Sequence, residues 1–470
     1  MLDAEATVKS SSVESLPGFG TRYCLVAGEV KGGFPEFEIH LPTDNWNGRF
    51  VSLAAADGPA CASYVKDGYA CMPMYRFGLK NPLESAESGS PVQALVRRIV
   101  GGRYDWNGSV HTLTQVAKST ISEFYEDAAE FSYLMGCSAG GNLALTTAQR
   151  FPRDFDGVMA GGAQTDFGDF LLRLLYHSKY IQKLTDADIQ TLHDGALRAC
   201  DGDDGLKDGV ISNPMSCRFS PRELKCGGRG LAGKSCLGEP EIDFAERIYS
   251  SPRGRDGKPL APGVGFLPGS ELQWRFWGSK KMDRNLSAFS ELAFPGAKPA
   301  FNYENVDFER EYGRIGIGAT YVPSTPDLRP FRAAGGKLMM VQGADDVGAL
   351  TGQMIDYFEV ARAVAGGKVD NFLRFYLIPG ANHCGASGAG AHSIDSLPYL
   401  RTWVEKGVGP DFLVATKPNS KGGSSTILPP ESTKPVFSFP GYYKYRGEGD
   451  VNNVDSYDKI DPEFLRGSKF

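Results

Sequence analysis

Residues 131–150, FSYLMGCSAGGNLALTTAQR, constrain the fold of this chain more than any other stretch. Strand-favouring residues begin it, a turn of sequence GCSAGG follows, and a helix-forming run ends it. Strand, glycine-flanked turn and helix form the context of a G-x-S-x-G nucleophile elbow. Side chains at Gly136 and Gly140 would collide with neighbouring backbone in so tight a turn. Ser138 would then stand at a helix N-terminus, where free N–H groups favour a developing oxyanion. The plainer alternative is a glycine-rich turn with an incidental serine.

Length and charge narrow the classes of protein to consider. A chain of 470 residues can bury a large core and has room for two or three domain-sized units. Its 50 basic and 56 acidic side chains give a net charge of −6, too mild to indicate a nucleic-acid or anionic-membrane partner. The sequence contains no run of 18 or more apolar residues, so we expect no membrane-spanning helix.

The order of strand-like and helix-like segments predicts an α/β fold. Strands alternate with helices around the elbow, which is typical of a mostly parallel sheet with helices on both faces. Between residues 164 and 329 this alternation stops, and it resumes afterwards. We therefore predict an α/β-hydrolase core in two parts, 1–163 and 330–470, with a lid domain inserted at 164–329. The polar arm 1–20 is expected to be weakly ordered, and 417–435, rich in Ser, Gly, Pro and Lys, is expected to be a linker.

A serine nucleophile needs a base and an acid that orients this base. In α/β-hydrolases the acid and the histidine follow the serine in the chain, each just after a strand. Here the strand-like run 338–342 precedes Asp345 and Asp346, and the run 372–378 precedes His383. Of the six histidines, His383 alone sits on a Gly/Pro-rich loop past a late strand. It is the candidate base.

Cysteine placement supports the same pairing. Cys137 immediately precedes Ser138, and Cys384 immediately follows His383. If the serine and the histidine are within hydrogen-bond reach, their neighbours are close enough to form a disulfide. Nine cysteines, several in pairs suited to disulfides, indicate an oxidising compartment. The N-terminus lacks the pattern of a signal peptide, so we expect a trimmed secreted or periplasmic protein and leave a cytoplasmic location open.

The pairs Cys137-Ser138 and His383-Cys384, with an aspartate between them, resemble the CS-D-HC motif of the tannase and feruloyl esterase family. That family includes mono(hydroxyethyl) terephthalate hydrolase. Further similar stretches are WNGR at 46–49, AQRFPRDFDG at 148–157, PGSE at 268–271 and YRGEGD at 445–450.

The resemblance implies a carboxylic ester hydrolase that acts on a small aromatic or phenolic ester through an acyl-enzyme intermediate. It assigns Ser138 as nucleophile, His383 as base and Asp346 as its orienting acid, because the family pattern Gly-x-x-Asp counts from Gly343. For the oxyanion hole it implies the N–H groups of Ala139 and Ala55. The family usually has a glycine-rich stretch around this second position, where this chain reads LAAADG at 53–58.

An acidic loop in the predicted lid carries four aspartates within residues 201–208. Such a density of negative charge favours a bound cation, and carboxylates with backbone carbonyls suit Ca²⁺. The loop is not an EF-hand, because the twelfth position is Ser212. A solvated acidic turn is the alternative. The family's lid carries a calcium loop, and the resemblance implies a structural Ca²⁺ held by side chains of Asp201, Asp204 and Asp208 and carbonyls of Leu206 and Val210.

The remaining cysteines suggest further disulfides. Cys200 and Cys217 flank the acidic loop, and Cys226 and Cys236 are a second plausible pair in the lid. A bridge from Cys61 to Cys71 would leave Cys24 free, although connectivity does not follow from sequence.

Other functions stay open at this stage. The chain could be a lactone hydrolase or an acyltransferase on a specialised small molecule, or a degenerate hydrolase fold that only binds a ligand. A calcium-dependent carbohydrate-binding protein would leave the Cys-Ser and His-Cys pairs unexplained. The lid aromatics could line an apolar pocket or, more plainly, form the core of the lid; they are Phe167, Phe170, Tyr176, Tyr180, Trp274 and Trp277. Neither the substrate nor the oligomeric state follows from the sequence.

Overall fold

A mixed sheet lies at the centre of the computed structural model. The described residues are 6–30, 36–54, 58–74, 106–227, 235–260, 263–277, 307–312, 326–419 and 429–462. Within them, nine strands form this sheet in the order β1-β2-β3-β5-β4-β6-β7-β8-β9. The strands are β1 Ala6–Ser15, β2 Arg22–Val30, β3 Glu36–Pro42, β4 Arg49–Ala54, β5 Ala70–Met74, β6 Phe131–Cys137, β7 Gly157–Gly161, β8 Lys337–Gly343 and β9 Leu373–Ile378.

The first three strands pair antiparallel, and β3 meets β5 antiparallel, whereas the strands from β5 to β9 run parallel. The chain passes from β4 to β5 on one side and then to β6 on the other side of β4. Ligands of open α/β sheets bind at the carboxyl ends of strands where the strand order reverses in this way. Ser138 directly follows β6 and therefore lies at this switch point.

Helices cover the sheet and fill the segment before β8. Their bounds are α1 Ala62–Lys66, α2 Trp106–Tyr125, α3 Ala139–Arg150, α4 Phe167–Ile181, α5 Asp186–Cys200, α6 Glu239–Tyr249, α7 Glu271–Trp274, α8 Phe308–Tyr312, α9 Arg329–Ala333, α10 Thr351–Val364 and α11 Leu397–Lys406. Two separate two-stranded sheets follow, one from β10 Phe412–Lys417 with β11 Ser432–Phe437, the other from β12 Tyr442–Tyr445 with β13 Tyr457–Ile460.

Both faces of the parallel strands are buried, as the α/β prediction requires. Leu134 of β6 packs in one apolar cluster with residues of α2, α3 and α10. Its neighbours Tyr133 and Met135 face the other way and pack with residues of α1 and α11. Successive side chains of a strand point to opposite faces, so this alternation confirms a sheet with helices on both sides.

The described chain between β7 and β8 contains helices and contributes no strand to the sheet. Helices α4 to α8 lie in the predicted lid, residues 164–329, and share an apolar core, which also takes in Val347 and Leu350 from the loop after β8. Four of the aromatics considered for a pocket are buried in this core, namely Phe170, Tyr176, Trp274 and Trp277. These side chains therefore pack the lid and contact the loop that carries Asp346.

The sequence predictions were wrong for the N-terminal arm and for the end of the proposed linker, whose residues 420–428 lie outside the described structure. The N-terminal arm forms the ten-residue strand β1, whose side chains are all exposed, and the proposed linker ends in β11, which pairs with β10. Main-chain hydrogen bonds hold both strands. Strand β1 is exposed on both faces and needs no apolar alternation, so its polar composition does not distinguish it from a coil. Strand β11 is partly buried, but its buried residues include Lys434 and Pro435, which are types depleted in strands.

Candidate active site

Ser138 sits in a backbone conformation that L-residues rarely adopt, with φ 59° and ψ −124°. It separates the end of β6 from the start of α3, and its N–H donates to Gly161 O at 2.9 Å. A non-glycine residue in such a region is strained by about 1–3 kcal/mol and persists only where the surroundings impose it. The strand–turn–helix geometry of an elbow is therefore present at the predicted position.

The glycines of the elbow leave no room for side chains. A Cβ at Gly136 would lie 2.2 Å from Gly140 O, and one at Gly140 would lie 2.2 Å from Ala54 O. Both obstacles are backbone oxygens, which cannot move aside as a flexible side chain can. The close approach also brings the end of β4 against the start of α3.

His383 and Asp346 are in contact. The distance from His383 Nδ1 to Asp346 Oδ2 is 2.9 Å, and the Asp346 side chain is fully buried while that of His383 is 38% exposed. Asp346 Oδ1 accepts the N–H groups of Gly348 at 2.7 Å and Ala349 at 3.0 Å. With Asp346 ionised, the proton lies on Nδ1, which leaves Nε2 as the basic nitrogen.

A disulfide ties the histidine loop to the elbow. Cys137 and Cys384 are bonded, with their Cα atoms 5.9 Å apart. A Cβ at Gly162 would lie 3.1 Å from Cys137 Sγ and 3.3 Å from His383 Cε1, so the imidazole packs beside this disulfide. The structure thus brings Ser138, Asp346 and His383 to one edge of the sheet, although their chemical roles stay predictions.

Asp345, the other aspartate of the loop, faces the lid. A Cβ at Gly269 would lie 3.5 Å from Asp345 Oδ1. Burial and, after it, the charge of Glu271 raise the pKa of Asp345 to about 7, against the opposing charge of His193. Because Asp345 faces the lid and Asp346 contacts His383, Asp346 is the partner of the histidine.

The described structure includes one of the two predicted oxyanion residues. Ala139 is the first residue of α3, directly after Ser138. Ala55 lies outside the described residues.

The sequence analysis does not predict that Gln342 contacts Asp346. Its Nε2 donates to Asp346 Oδ2 at 3.0 Å. The available signal was a lone polar side chain in the otherwise apolar run of β8, LMMVQ at 338–342.

Backbone N–H groups donate to two carboxylate oxygens of the acidic loop. Asp201 Oδ1 accepts the N–H groups of Asp208, Gly209 and Val210, and Asp204 Oδ1 accepts that of Leu206. Asp204 Oδ2 is buried without a partner among the described residues. That atom is the one observation that favours a cation here.

Other features of the loop are less favourable to a metal. Asp208 Oδ2 lies 3.8 Å from Lys434 Nζ, a cation that the chain itself supplies. Among the described residues, no three His, Cys, Asp or Glu side chains group as a metal centre would require. The fit to Ca²⁺ therefore depends on Asp204 and on main-chain carbonyls such as those of Leu206 and Val210.

The structure contains four disulfides in its described part, Cys61–Cys71, Cys137–Cys384, Cys200–Cys217 and Cys226–Cys236, and Cys24 is free. No helix within the ranges given above is both long and apolar enough to cross a membrane.

Comparison with known proteins decides the family. The sequence model described as tannase and feruloyl esterase matches residues 24–460. The chain belongs to this family. It is accordingly a carboxylic ester hydrolase of the feruloyl esterase and tannase type.

Several relatives of the family resemble the chain over most of its length. A probable feruloyl esterase of Arthroderma benhamiae is 27% identical, over 89% of this chain and 81% of its own. The mono(2-hydroxyethyl) terephthalate hydrolase of Piscinibacter sakaiensis is also 27% identical, over 96% of this chain and 86% of its own.

Solved structures support the fold. Feruloyl esterase B from Aspergillus oryzae aligns over 97% of both chains with a TM-score of 0.76 and 21% identity. Tannin acyl hydrolase from Aspergillus niger aligns over 98% of this chain and 91% of its own, with a TM-score of 0.69 and 18% identity. At such identities the similarity establishes the α/β-hydrolase fold.

Proposed function

We propose that this family member hydrolyses esters of hydroxylated aromatic acids through an acyl-enzyme intermediate on Ser138. The observation that carries the proposal is the 2.9 Å contact between His383 Nδ1 and Asp346 Oδ2, on a loop that a disulfide joins to the residue before Ser138. This is the arrangement in which a buried carboxylate orients an imidazole beside a nucleophile.

In the acylation step, Ser138 Oγ attacks the ester carbonyl carbon while His383 Nε2 accepts the hydroxyl proton. The imidazolium that forms is stabilised by the ionised carboxylate of Asp346. The tetrahedral intermediate then collapses, the C–O bond to the alcohol breaks, and the alcohol leaves with the proton from Nε2. Ser138 now carries the acyl group.

Water completes the reaction. His383 Nε2 takes a proton from a water molecule, whose oxygen attacks the acyl carbon, and the same proton returns to Ser138 Oγ as the acid is released. The N–H of Ala139, at the start of α3, is a suitable donor to the oxyanion of both tetrahedral intermediates. A second donor from Ala55 stays a prediction.

The proposed substrate class is inferred from the names of the relatives. Their names refer to feruloyl esters and to a terephthalate monoester, both esters of aromatic acids. Four disulfides in the described residues support an oxidising, secreted or periplasmic setting, where such esters would be met. We further propose that the acidic loop binds a structural Ca²⁺ with Asp204 as a ligand, because its buried Oδ2 lacks a partner among the described residues.

The test is labelling of the intact protein with a fluorophosphonate probe, followed by hydrolysis of methyl ferulate, methyl gallate and alkyl acetates. A single adduct is expected on wild type and should be absent from Ser138→Ala and strongly reduced in His383→Ala. Ser387→Ala, an exposed serine four residues beyond the histidine, is the matched control and should label normally. If folded wild type takes no label and hydrolyses none of the esters, the esterase proposal is wrong and a ligand-binding protein is the better interpretation. Formation of new esters when alcohols are added would instead indicate an acyltransferase.

A further inference from the structure

Gln342 is a buried polar residue in contact with the acid of the proposed catalytic site. Only 1% of its surface is exposed. Its Nε2 lies 3.0 Å from Asp346 Oδ2 and 3.3 Å from Thr351 Oγ1. Asp346 Oδ2 is also the oxygen that receives His383 Nδ1 at 2.9 Å. The amide and the imidazole therefore meet at one carboxylate oxygen.

The surroundings fix the orientation of this amide. Thr351 Oγ1 donates its proton to Gly343 O at 2.8 Å, so that its lone pairs are free to accept from Gln342. If the amide were turned over, Oε1 would face the Asp346 carboxylate, and like partial charges would repel. Electrostatics therefore direct the N–H₂ group toward Asp346.

Packing alone does not explain a glutamine at this position. Its Oε1 is buried and has no partner among the described residues. A buried acceptor without a partner costs stability, and an apolar side chain of similar volume would avoid this cost. What distinguishes glutamine from methionine here is the N–H that reaches Asp346.

We propose that Gln342 is a positioning residue, whose amide holds the Asp346 carboxylate in the rotation that directs Oδ2 at His383. This inference rests on the proposed function. Main-chain N–H groups of Gly348 and Ala349 hold Oδ1, so Gln342 supplies the matching restraint on Oδ2. Its hydrogen bond is independent of pH, whereas the histidine gains and loses a proton in every cycle. Oδ2 thus keeps one constant partner while its other partner changes charge.

The first variant to measure is Gln342→Met, which keeps the volume and removes the N–H. We expect kcat for an aryl ester to fall by about 10- to 100-fold with little change in KM, the loss typical of a catalytic group displaced by a fraction of an ångström. Gln353→Met is a closely matched control. Gln353 is 3% exposed, donates Nε2 to Asp169 Oδ2 at 2.6 Å and also has a partnerless Oε1 within the described structure. Its replacement should leave kcat unchanged.

Gln342→Glu separates positioning from a merely structural role. Asp346 Oδ2 lies 3.0 Å from Gln342 Nε2 and 2.9 Å from His383 Nδ1, while Asp345 of the same loop faces the lid. At low pH the new carboxyl group keeps a proton and donates it to Asp346 Oδ2, as the amide does. When that proton is lost, two carboxylates face each other and repel. The alkaline side of the kcat profile should therefore move to lower pH than in wild type, whereas a general loss of packing would lower kcat equally at every pH.

The outcomes distinguish this inference from the proposed function. Wild-type kcat in folded Gln342→Met, or a Gln342→Glu profile parallel to that of wild type, would overturn the positioning role. Should Gln342→Met not fold, as judged by circular dichroism, the pH profile of the isosteric glutamate variant decides. Absence of ester hydrolysis and of fluorophosphonate labelling in wild type and in Gln353→Met would instead reject the enzyme itself.

Discussion

Ser138 keeps its strained backbone because its neighbours leave the turn no alternative. Its N–H is bonded to Gly161 O, and the carbonyl oxygens of Ala54 and Gly140 close the space on either side. Strain of this kind is held by packing elsewhere in the fold and is typical of functional sites. Glycine is therefore required on both sides of the serine because a Cβ there would collide with backbone oxygens. A general preference for flexible residues in turns is not the main reason.

Gly140→Ala tests this requirement. Its Cβ would lie 2.2 Å from Ala54 O, so the elbow must shift, and we expect a loss of about 3 kcal/mol or more in the free energy of unfolding, with activity strongly reduced. Gly366→Ala is the control, because that position has φ +82° and nothing within 4 Å, so only a backbone cost of about 1 kcal/mol applies. Urea unfolding measures both. Equal losses in the two variants would contradict the steric account.

The histidine loop depends on a covalent connection to the elbow strand. The Cys137–Cys384 bridge spans a sequence separation of 247, whereas Cys226–Cys236 spans only 10. In the chain-entropy account the longer loop contributes about 5 kcal/mol and the shorter about 3 kcal/mol, both as upper values. The longer bridge also holds His383 near Ser138, so its removal should affect catalysis as well as stability.

Replacing both cysteines of each pair by serine separates these effects. Without Cys137–Cys384 we expect a lower free energy of unfolding together with a large fall in kcat. Without Cys226–Cys236, which lies in the lid, we expect a smaller loss of stability and nearly normal kcat at a temperature where the variant is folded. A Cys137/Cys384 variant with normal kcat would show that packing alone keeps the histidine in place.

The acidic loop should respond to chelation if it binds Ca²⁺. We expect EDTA to lower the Tm of wild type and added Ca²⁺ to restore it, because an ion that binds only the folded state stabilises it. Asp204→Asn should abolish this response, whereas Asp203→Asn, an exposed aspartate one residue away, should preserve it. If neither EDTA nor Ca²⁺ changes the Tm of wild type, the loop does not bind Ca²⁺, and Lys434 and the backbone N–H groups are the partners of its carboxylates.

The elements differ in how far the sequence predicts them. The elbow and the loops of Asp346 and His383 follow from strand ends, glycine spacing and adjacent cysteines, which are local signals. Strand β1 was missed because its exposed residues leave no apolar period, and β11 was missed because its buried residues include Lys434 and Pro435, which are not strand-favouring. The contact of Gln342 with Asp346 depends on side-chain rotamers across a loop, and no sequence pattern records those.

The lid and the sheet meet at a buried cluster of charges beside the proposed catalytic acid. Glu271 is fully buried and accepts hydrogen bonds from Tyr249 at 2.7 Å and from Gly269 N–H, while its second oxygen lies 2.9 Å from His193 Nδ1. Burial lowers the pKa of His193, but the hydrogen bond and charge of Glu271 outweigh it, and the net shift is upward. Asp345, next to Asp346 in the loop after β8, also belongs to this cluster and lies outside the lid.

Asp345 should make the stability of the protein depend on pH near neutrality. Burial, with the charge of Glu271, raises its pKa from 3.8 to about 7, so the folded state binds this proton more tightly than the unfolded state does. The contribution of this group is most favourable below pH 4 and is lost as the pH rises through about 7. Asp345→Asn should therefore match wild type near pH 4 and exceed its free energy of unfolding by on the order of 1 to 3 kcal/mol at pH 8. Urea titrations at both pH values measure this difference, with Asp370→Asn, an exposed aspartate, as the control that should show none.

Because Val347 and Leu350 of the same loop lie in the lid core, the proton on Asp345 would link lid packing to the loop that holds Asp346. A difference between Asp345→Asn and wild type that is the same at pH 4 and pH 8 would mean that Asp345 is ionised throughout, and the link would fail.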